Sequence, residues 1–369
     1  MFTLTNQDGN ARTGILKTPH GEIQTPFFMP VATKAVGKFI TSDDYKQLGI
    51  KAIISNAFLC SLIPGLDLLS EGIHDFMNYK GIIFNDCGGF QMLRENLLKE
   101  TTNNGIFFTN PYGKDIFIRP KTIMEIQEKV GGDVIMALDC VISYGKEKKD
   151  YEQAIEKSHR WTKQCKELHK TNQLLFGITQ GGTFPDLRKK SSEYINSLDF
   201  DGNAIGGLGI GEPKEKMFEV IEWSNEILSK QKPRYLMGVG DPEQILECVS
   251  RGIDIFDSIL PAKHARHGQL FTKKGTLTLK KGKYKDDLKP IEDGCQCHTC
   301  KNFTRKYLRY LLKTNDPSGK RLRTIHNLHF MNNFMKDIRQ SIKENRFNEF
   351  KQNFLLHYKP NVPIQHPMQ

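Results

Sequence analysis

A (β/α)8 TIM barrel of the α/β class, with a metal-binding insertion after its eighth strand, is predicted by three features of the sequence. Eight short apolar runs recur between Pro26 and Asp257. Helical patterns lie between most of them. Beyond the last run, three of the eight cysteines fall within six residues, at Cys295, Cys297 and Cys300.

The runs are Pro26–Val31, Ala52–Asn56, Ile82–Asp86, Val134–Asp139, Leu174–Thr179, Asn203–Gly207, Arg234–Gly238 and Ile253–Asp257. A short continuous apolar run reads as a strand buried on both faces, as in a parallel sheet covered by helices. The helical patterns are Asp150 to about His169, Phe184–Leu198, Lys214–Leu228 and Pro242–Ser250. Pro213 and Pro242 stand where a first helical turn tolerates proline, because its missing N–H would have no partner there anyway. Eight strands within about 230 residues favour closure over a doubly wound open sheet.

Two segments break the rhythm. Gly105–Ile118 reads as a hairpin, its turn marked by Asn110-Pro111 and Gly113. Residues 270–326 read as a basic insertion, and the pattern over Thr324–Phe350 reads as the last barrel helix. The expected organisation is one catalytic barrel over residues 1–369, with the 270–326 subdomain inserted before that helix.

The charge follows the same division. Residues 1–260 hold 30 Lys+Arg against 34 Asp+Glu, and residues 261–369 hold 23 against 8. A near-neutral body with a basic last third suggests a polyanion-binding face, although solubility alone would also explain such a charge. The apolar content of 38% excludes global disorder. No stretch approaches the roughly 20 apolar residues of a membrane span. The N-terminus, Met1 to Asp8, lacks the basic and apolar regions of a secretion signal. The expectation is a cytoplasmic protein with reduced thiols.

In such barrels the chemistry sits at the C-terminal ends of the strands. Here those ends carry Asp86, Asp139, Gln180, Gly207, Gly238 and Asp257. A carboxylate ending an apolar strand is costly unless solvated, paired or used. Any single one is most simply a helix N-cap, but three beside a glutamine and several glycines strain that explanation. Asp86-Cys87-Gly88-Gly89-Phe90-Gln91 and Gln180-Gly181-Gly182 both set a polar side chain before glycines, where backbone can approach a ligand. Phe90 could stack on a base or simply pack in the core. Gly206–Glu212 is no dinucleotide fingerprint, because the third glycine is missing from the required spacing. After Asp257 come Lys263 and Arg266, a local ion-pair turn or a phosphate contact.

The cysteine cluster is the sharpest single signal. Clustered cysteines in a reducing compartment indicate metal rather than disulfides. Cys295, Cys297 and Cys300 offer three thiolates, and His326 a fourth ligand for a closed tetrahedral zinc site with no open position for water. His329, one helical turn later, and His298, inside the cluster, compete for that role.

Taken together, Asp-x-Gly-Gly-Phe-Gln, Gln-Gly-Gly, Gly-Gly-Leu-x-x-Gly-Glu, Met-Gly-Val-Gly, Phe-Asp-Ser-x-x-Pro and Cys-x-Cys-x-x-Cys…His occur in order from about Gly21 to His326. This pattern resembles the tRNA-guanine transglycosylase family (queuine tRNA-ribosyltransferases), bacterial type. The resemblance implies a TIM barrel with a zinc-binding insertion and one structural Zn2+ per chain. It implies exchange of the wobble guanine in GUN anticodons for a 7-deazaguanine base, in queuosine modification. Asp257 would be the nucleophile that forms a covalent ribosyl-enzyme, and Asp86 the general acid/base. Asp139, Gln180 and the Gly207 backbone would bind the base edge; Leu208, Met237 and Gly238 would line the pocket, with Phe90 near the base. Lys263 and Arg266 would contact the tRNA anticodon loop, and the enzyme would be a homodimer.

Three departures stand out. Pro261-Ala262-Lys263 replaces the common Pro-Thr-Arg, and Lys lacks the bidentate fork of Arg. Cys87 stands where the family usually has Ser. Asp139-Cys140-Val141-Ile142-Ser143 resembles the eukaryotic Asp-Asp-Val-Val-Ser more than the bacterial Asp-Glu-Cys, which suggests that queuine itself is accepted. A non-catalytic tRNA-binding partner subunit is the main rival reading, and Asp86 with Asp257 argues against it. Related base-exchange enzymes acting on another tRNA position or on DNA are further rivals.

Overall fold

The computed structural model describes residues 1–89, 97–110 and 112–359. Its centre is an eight-stranded parallel sheet: β1 (Phe27–Pro30), β2 (Ala52–Asn56), β3 (Ile82–Asp86), β4 (Val134–Met136), β5 (Leu174–Thr179), β6 (Gly202–Ile205), β7 (Arg234–Leu236) and β8 (Ile255–Ser258). Each lies within about two residues of an expected run. β1 pairs with β8, with Phe27 opposite Ile255. A bridge between Val31 and Ile54, with Ala32 N–H donating to Ile54 O at 2.7 Å, joins β1 to β2 and closes the ring.

The barrel interior is filled, not hollow. Phe84 on β3 meets Phe27 on β1, Phe176 on β5 and Tyr235 on β7, all edge-on, with centroids 5.8–6.2 Å apart. These four rings come from alternate strands, which is how a layer of a TIM barrel is built. Edge-on packing sets a positive ring edge against a negative face, adding about 0.5–1.5 kcal/mol per pair to the burial. Side chains alternate in direction along a strand, so Asp86, two residues past Phe84, faces the same side one layer nearer the C-terminal mouth.

The helices Lys148–Leu168, Pro185–Ser197, Lys214–Ile227 and Pro242–Val249 match their expected spans to within two residues. The hairpin is present, with strands Gly105–Thr109 and Asp115–Ile118 joined by a third, Leu98–Thr102. Pro111 of its turn lies outside the described residues. The end of the chain differs from expectation. One helix runs Pro317–Lys343 and a second runs Phe347–His357, so residue 326 is inside a helix rather than at its start. Asp316 caps the first of these through Ser318 N–H, with Pro317 in its first turn.

An antiparallel sheet that the apolar runs did not signal (Phe2–Asp8, Ala11–Thr18, Gly21–Thr25) caps the N-terminal end of the barrel. Buried Arg12 crosses from it to Asp254, just before β8, through Nε at 3.0 Å and Nη2 at 2.5 Å. Asp133, just before β4, accepts from the backbone N–H groups of His20 at 3.0 Å and Ile83 at 2.9 Å.

Candidate active site and metal centre

Three carboxylates meet at the C-terminal mouth. Asp257, on β8, accepts from the Tyr235 hydroxyl at 2.5 Å and from Gly238 N–H at 2.9 Å, both on Oδ1. No hydrogen bond from the described residues reaches Oδ2. Burial pushes the Asp257 carboxyl above its ordinary value, and those two bonds hold it partly back. Burial also drives the Tyr235 phenol well above its usual value, reinforced by the Asp257 charge, so the hydroxyl stays a donor.

Asp86 ends β3 and accepts from Asn56 Nδ2 at 3.1 Å. Its negative charge is felt at Tyr235, Cys87 and Asp139. Asp139 is buried and accepts from Gln180 Nε2 at 2.6 Å. Its carboxyl is pushed up to about 7, chiefly by burial and further by the Asp86 charge, against the Gln180 bond. Cys87 Sγ lies 4.0 Å from Asp139 Oδ1, and burial between two carboxylates pushes this thiol up. It is therefore a neutral, unreactive group here.

The glycines around Gln180 are sterically required. A Cβ on Gly206 would lie 2.6 Å from Gln180 Nε2, and one on Gly207 would lie 2.5 Å from Gln180 Oε1. Gly207 also has φ +67°, in the left-handed region. Leu208 is buried beside this turn, Met237 is half-buried against the main core, and Gly238 is exposed at the mouth. Lys263 and Arg266 lie half-buried on the helix Leu260–Arg266 that follows Asp257. Phe90 falls outside the described residues.

Sequence reasoning missed three polar residues. Asn56 ends its strand as Asp86 does, so the same strand-end rule would have found it. Tyr235 was hidden inside an apolar run. Arg188 resembles any helix-surface arginine until the helix is folded against the barrel, where it is fully buried.

Cys295, Cys297, Cys300 and His326 bring their ligand atoms within 4.8 Å of one another, a group that can hold a metal ion. His326 Nδ1 lies 3.8, 3.6 and 3.4 Å from the three sulfurs. Zinc bond lengths with a tetrahedral angle require a sulfur–nitrogen separation of about 3.6 Å. The other ring nitrogen, Nε2, donates to Phe271 O at 2.7 Å, which fixes the tautomer with its lone pair toward the thiols. Of the competitors, His298 turns its ring to Asn302, whereas His329 meets Asn333 through Nε2 and also reaches Cys295 from outside the four-ligand group. A second group, His20, His74 and Asp133, sits at the opposite end of the barrel.

Comparison with known proteins gives the family. The family model for queuine tRNA-ribosyltransferase matches residues 7–360. A queuine tRNA-ribosyltransferase of Desulforamulus reducens is 45% identical over 349 residues, 94% of each chain. One from Staphylococcus aureus strain JH9 is 43% identical over 363 residues, 97% of this chain and 96% of the relative. The chain therefore belongs to the queuine tRNA-ribosyltransferase family.

Proposed function

We propose that this protein is a tRNA-guanine transglycosylase, a pentosyltransferase that exchanges the wobble guanine of GUN-anticodon tRNAs for a 7-deazaguanine base. The observation that carries this reading is the state of Asp257. One oxygen is fixed by Tyr235 and Gly238, the other receives no hydrogen bond from the described residues, and the half-buried group shares Tyr235 with the field of Asp86. A carboxylate so held is positioned to attack a sugar C1′.

Asp257 Oδ2 attacks C1′ of the target nucleotide, and the N-glycosidic pair leaves with guanine, which takes a proton from Asp86. Asp86 then accepts the proton of the incoming base, whose nitrogen displaces Asp257. Two inversions retain the anomeric configuration. Asp139 accepts from the donor-rich N1/N2 edge of the base, while Gln180 and the Gly207 N–H complete its recognition. Leu208, Met237, Gly238 and Phe90 form the walls. The nucleotide leaves its stack to reach the mouth.

One zinc ion per chain in the Cys3His cluster would tie the Pro317–Lys343 helix to residues 295–300. Its role is structural, since four protein ligands leave no open position. The 270–326 segment is accordingly a metal-pinned subdomain of a single catalytic barrel. Together with Lys263 and Arg266, its exposed Lys280, Lys281, Lys283 and Lys285 would bind anticodon-loop phosphates. Affinity for tRNA should then fall with salt, with a log–log slope of about −0.7 per phosphate contacted; a flat response would remove the basic face from the mechanism. An aromatic row, Phe303, Tyr307 and Tyr310, with the two tyrosines exposed, supports a homodimer contact on this subdomain. No helix among the described residues is long and apolar enough to cross a membrane. A tRNA substrate supports a cytoplasmic enzyme.

The deciding experiment is exchange of labelled guanine into total tRNA by the wild type, Asp257→Ala and Asp86→Ala. Retained exchange in both variants refutes the assigned roles. Offering queuine and its aminomethyl precursor in the same assay tests the Asp139–Ser143 segment; failure to incorporate queuine sinks its acceptance.

A further inference from the structure

Arg188 is a buried cation with no salt-bridge partner among the described residues. It stands in the first turn of the helix Pro185–Ser197 and is 0% exposed. Its guanidinium reaches three backbone carbonyls: Nε to Gly182 O at 2.7 Å, Nη1 to Thr179 O at 3.2 Å, and Nη2 to Gly206 O at 2.8 Å. Burial pushes its pKa down to about 9, offset in part by the charge of Glu212. A buried charge is costly, so its fork of donors must do something that a neutral side chain could not.

The three carbonyls indicate what that is. Thr179 O and Gly182 O flank Gln180, and Gly206 O belongs to the peptide whose N–H is that of Gly207. A trans peptide is planar, so fixing the carbonyl on one side fixes the N–H on the other. Between two glycines that plane would otherwise be free to turn. Nη2 removes this freedom and directs the Gly207 N–H away from Arg188. The same guanidinium anchors the turn that presents the Gln180 amide to Asp139.

We infer that Arg188 is a positioning residue for base recognition: it sets the direction of the Gly207 N–H, which then discriminates for a base carrying an acceptor at the six position. This rests on the transglycosylase reading. Guanine presents O6 there, an acceptor that matches a fixed N–H donor. Lysine at this position keeps the charge but has no planar fork to span three carbonyls.

The test compares wild type with Arg188→Lys, using labelled guanine exchange and competition by 6-thioguanine, whose sulfur is a weak acceptor. For Arg188→Lys we expect the KM for guanine to rise about tenfold, the KM for tRNA to stay unchanged, and the preference for guanine over 6-thioguanine to fall about tenfold. A loss of fold would lower activity toward both substrates without this split. An Arg188→Lys enzyme with unaltered guanine KM and preference overturns the inference while leaving the transglycosylase reading intact. Failure of wild type to exchange guanine overturns that reading instead. If the variant does not fold, a crystal structure of the wild type with guanine decides. Expected is Arg188 Nη2 on Gly206 O with guanine O6 on the Gly207 N–H; a Gly206–Gly207 peptide turned away from Arg188 overturns the inference.

Discussion

The two ends of the barrel differ in the partners they set around their aspartates: basic side chains at one, neutral donors at the other. At the N-terminal end Asp133 faces the stacked rings of His20 and His74, 3.6 Å apart, with His20 Nδ1 at 2.9 Å and His74 Nε2 at 3.1 Å. Burial alone would raise this carboxyl, but the histidines and the Ile83 N–H outweigh it and hold the group below the usual carboxylate range. Asp254 is clamped by Arg12, although burial outweighs that cation and leaves its carboxyl raised. At the C-terminal end Asp139 and Asp257 have neutral donors and no cationic partner among the described residues, and both are raised. Satisfied carboxylates pin a structure; undersatisfied ones retain acceptor capacity and basicity for a substrate. The difference separates the part that holds the barrel from the part proposed to react.

The sharpest break of this comparison is Asp257→Asn. It should lower guanine exchange at least about 10³-fold and abolish the covalent RNA adduct on denaturing gels, with little change in urea midpoint. Its mirror image is Asp133→Ala, which leaves the Ile83 N–H and His74 without their acceptor. About 3–5 kcal/mol of stability should be lost, read by urea unfolding, while the kcat of the folded fraction is retained.

Two smaller tests use the raised carboxyl of Asp139. Guanine needs it ionised as an acceptor, so the KM for guanine should rise as pH falls below about 7, approaching tenfold per unit. An unchanged KM from pH 8 to 5.5 would detach Asp139 from base binding. For folding the sign is opposite. A carboxyl raised in the native state binds its proton more tightly there than in the unfolded chain. Its favourable contribution is present at pH below about 4 and is lost as pH rises through about 7. Asp139→Asn should therefore raise Tm at pH 8 by a few degrees while guanine exchange collapses, a trade of function for stability. A lowered Tm would show that the ionised group is already well compensated.

Periodicity made the architecture legible. Each barrel strand announced itself as an apolar run because a strand buried on both faces can carry little else, and five of them lead into a polar residue at the mouth: Asn56, Asp86, Asp139, Gln180 or Asp257. The cysteine spacing exposed the group that can hold a metal for a similar reason: thiolates and an imidazole at such intervals can close around one ion. The N-terminal cap escaped notice because its outer strand, Phe2–Asp8, is largely exposed and polar, without the continuous apolar run that marks the barrel strands.

What the amino-acid order by itself determined was the set of reactive groups and their attachment to strand ends. Tertiary structure alone decided their states. Tyr235 became the hydrogen-bond donor that fixes Asp257 only because β7 lies beside β8 in the closed ring. Asp139 moved to about 7 only because the fold removed water from around it. Arg188 turned inward only because the helix after β5 packs against the β6 turn. Hydration and long-range neighbours control those properties, and neither is local in sequence.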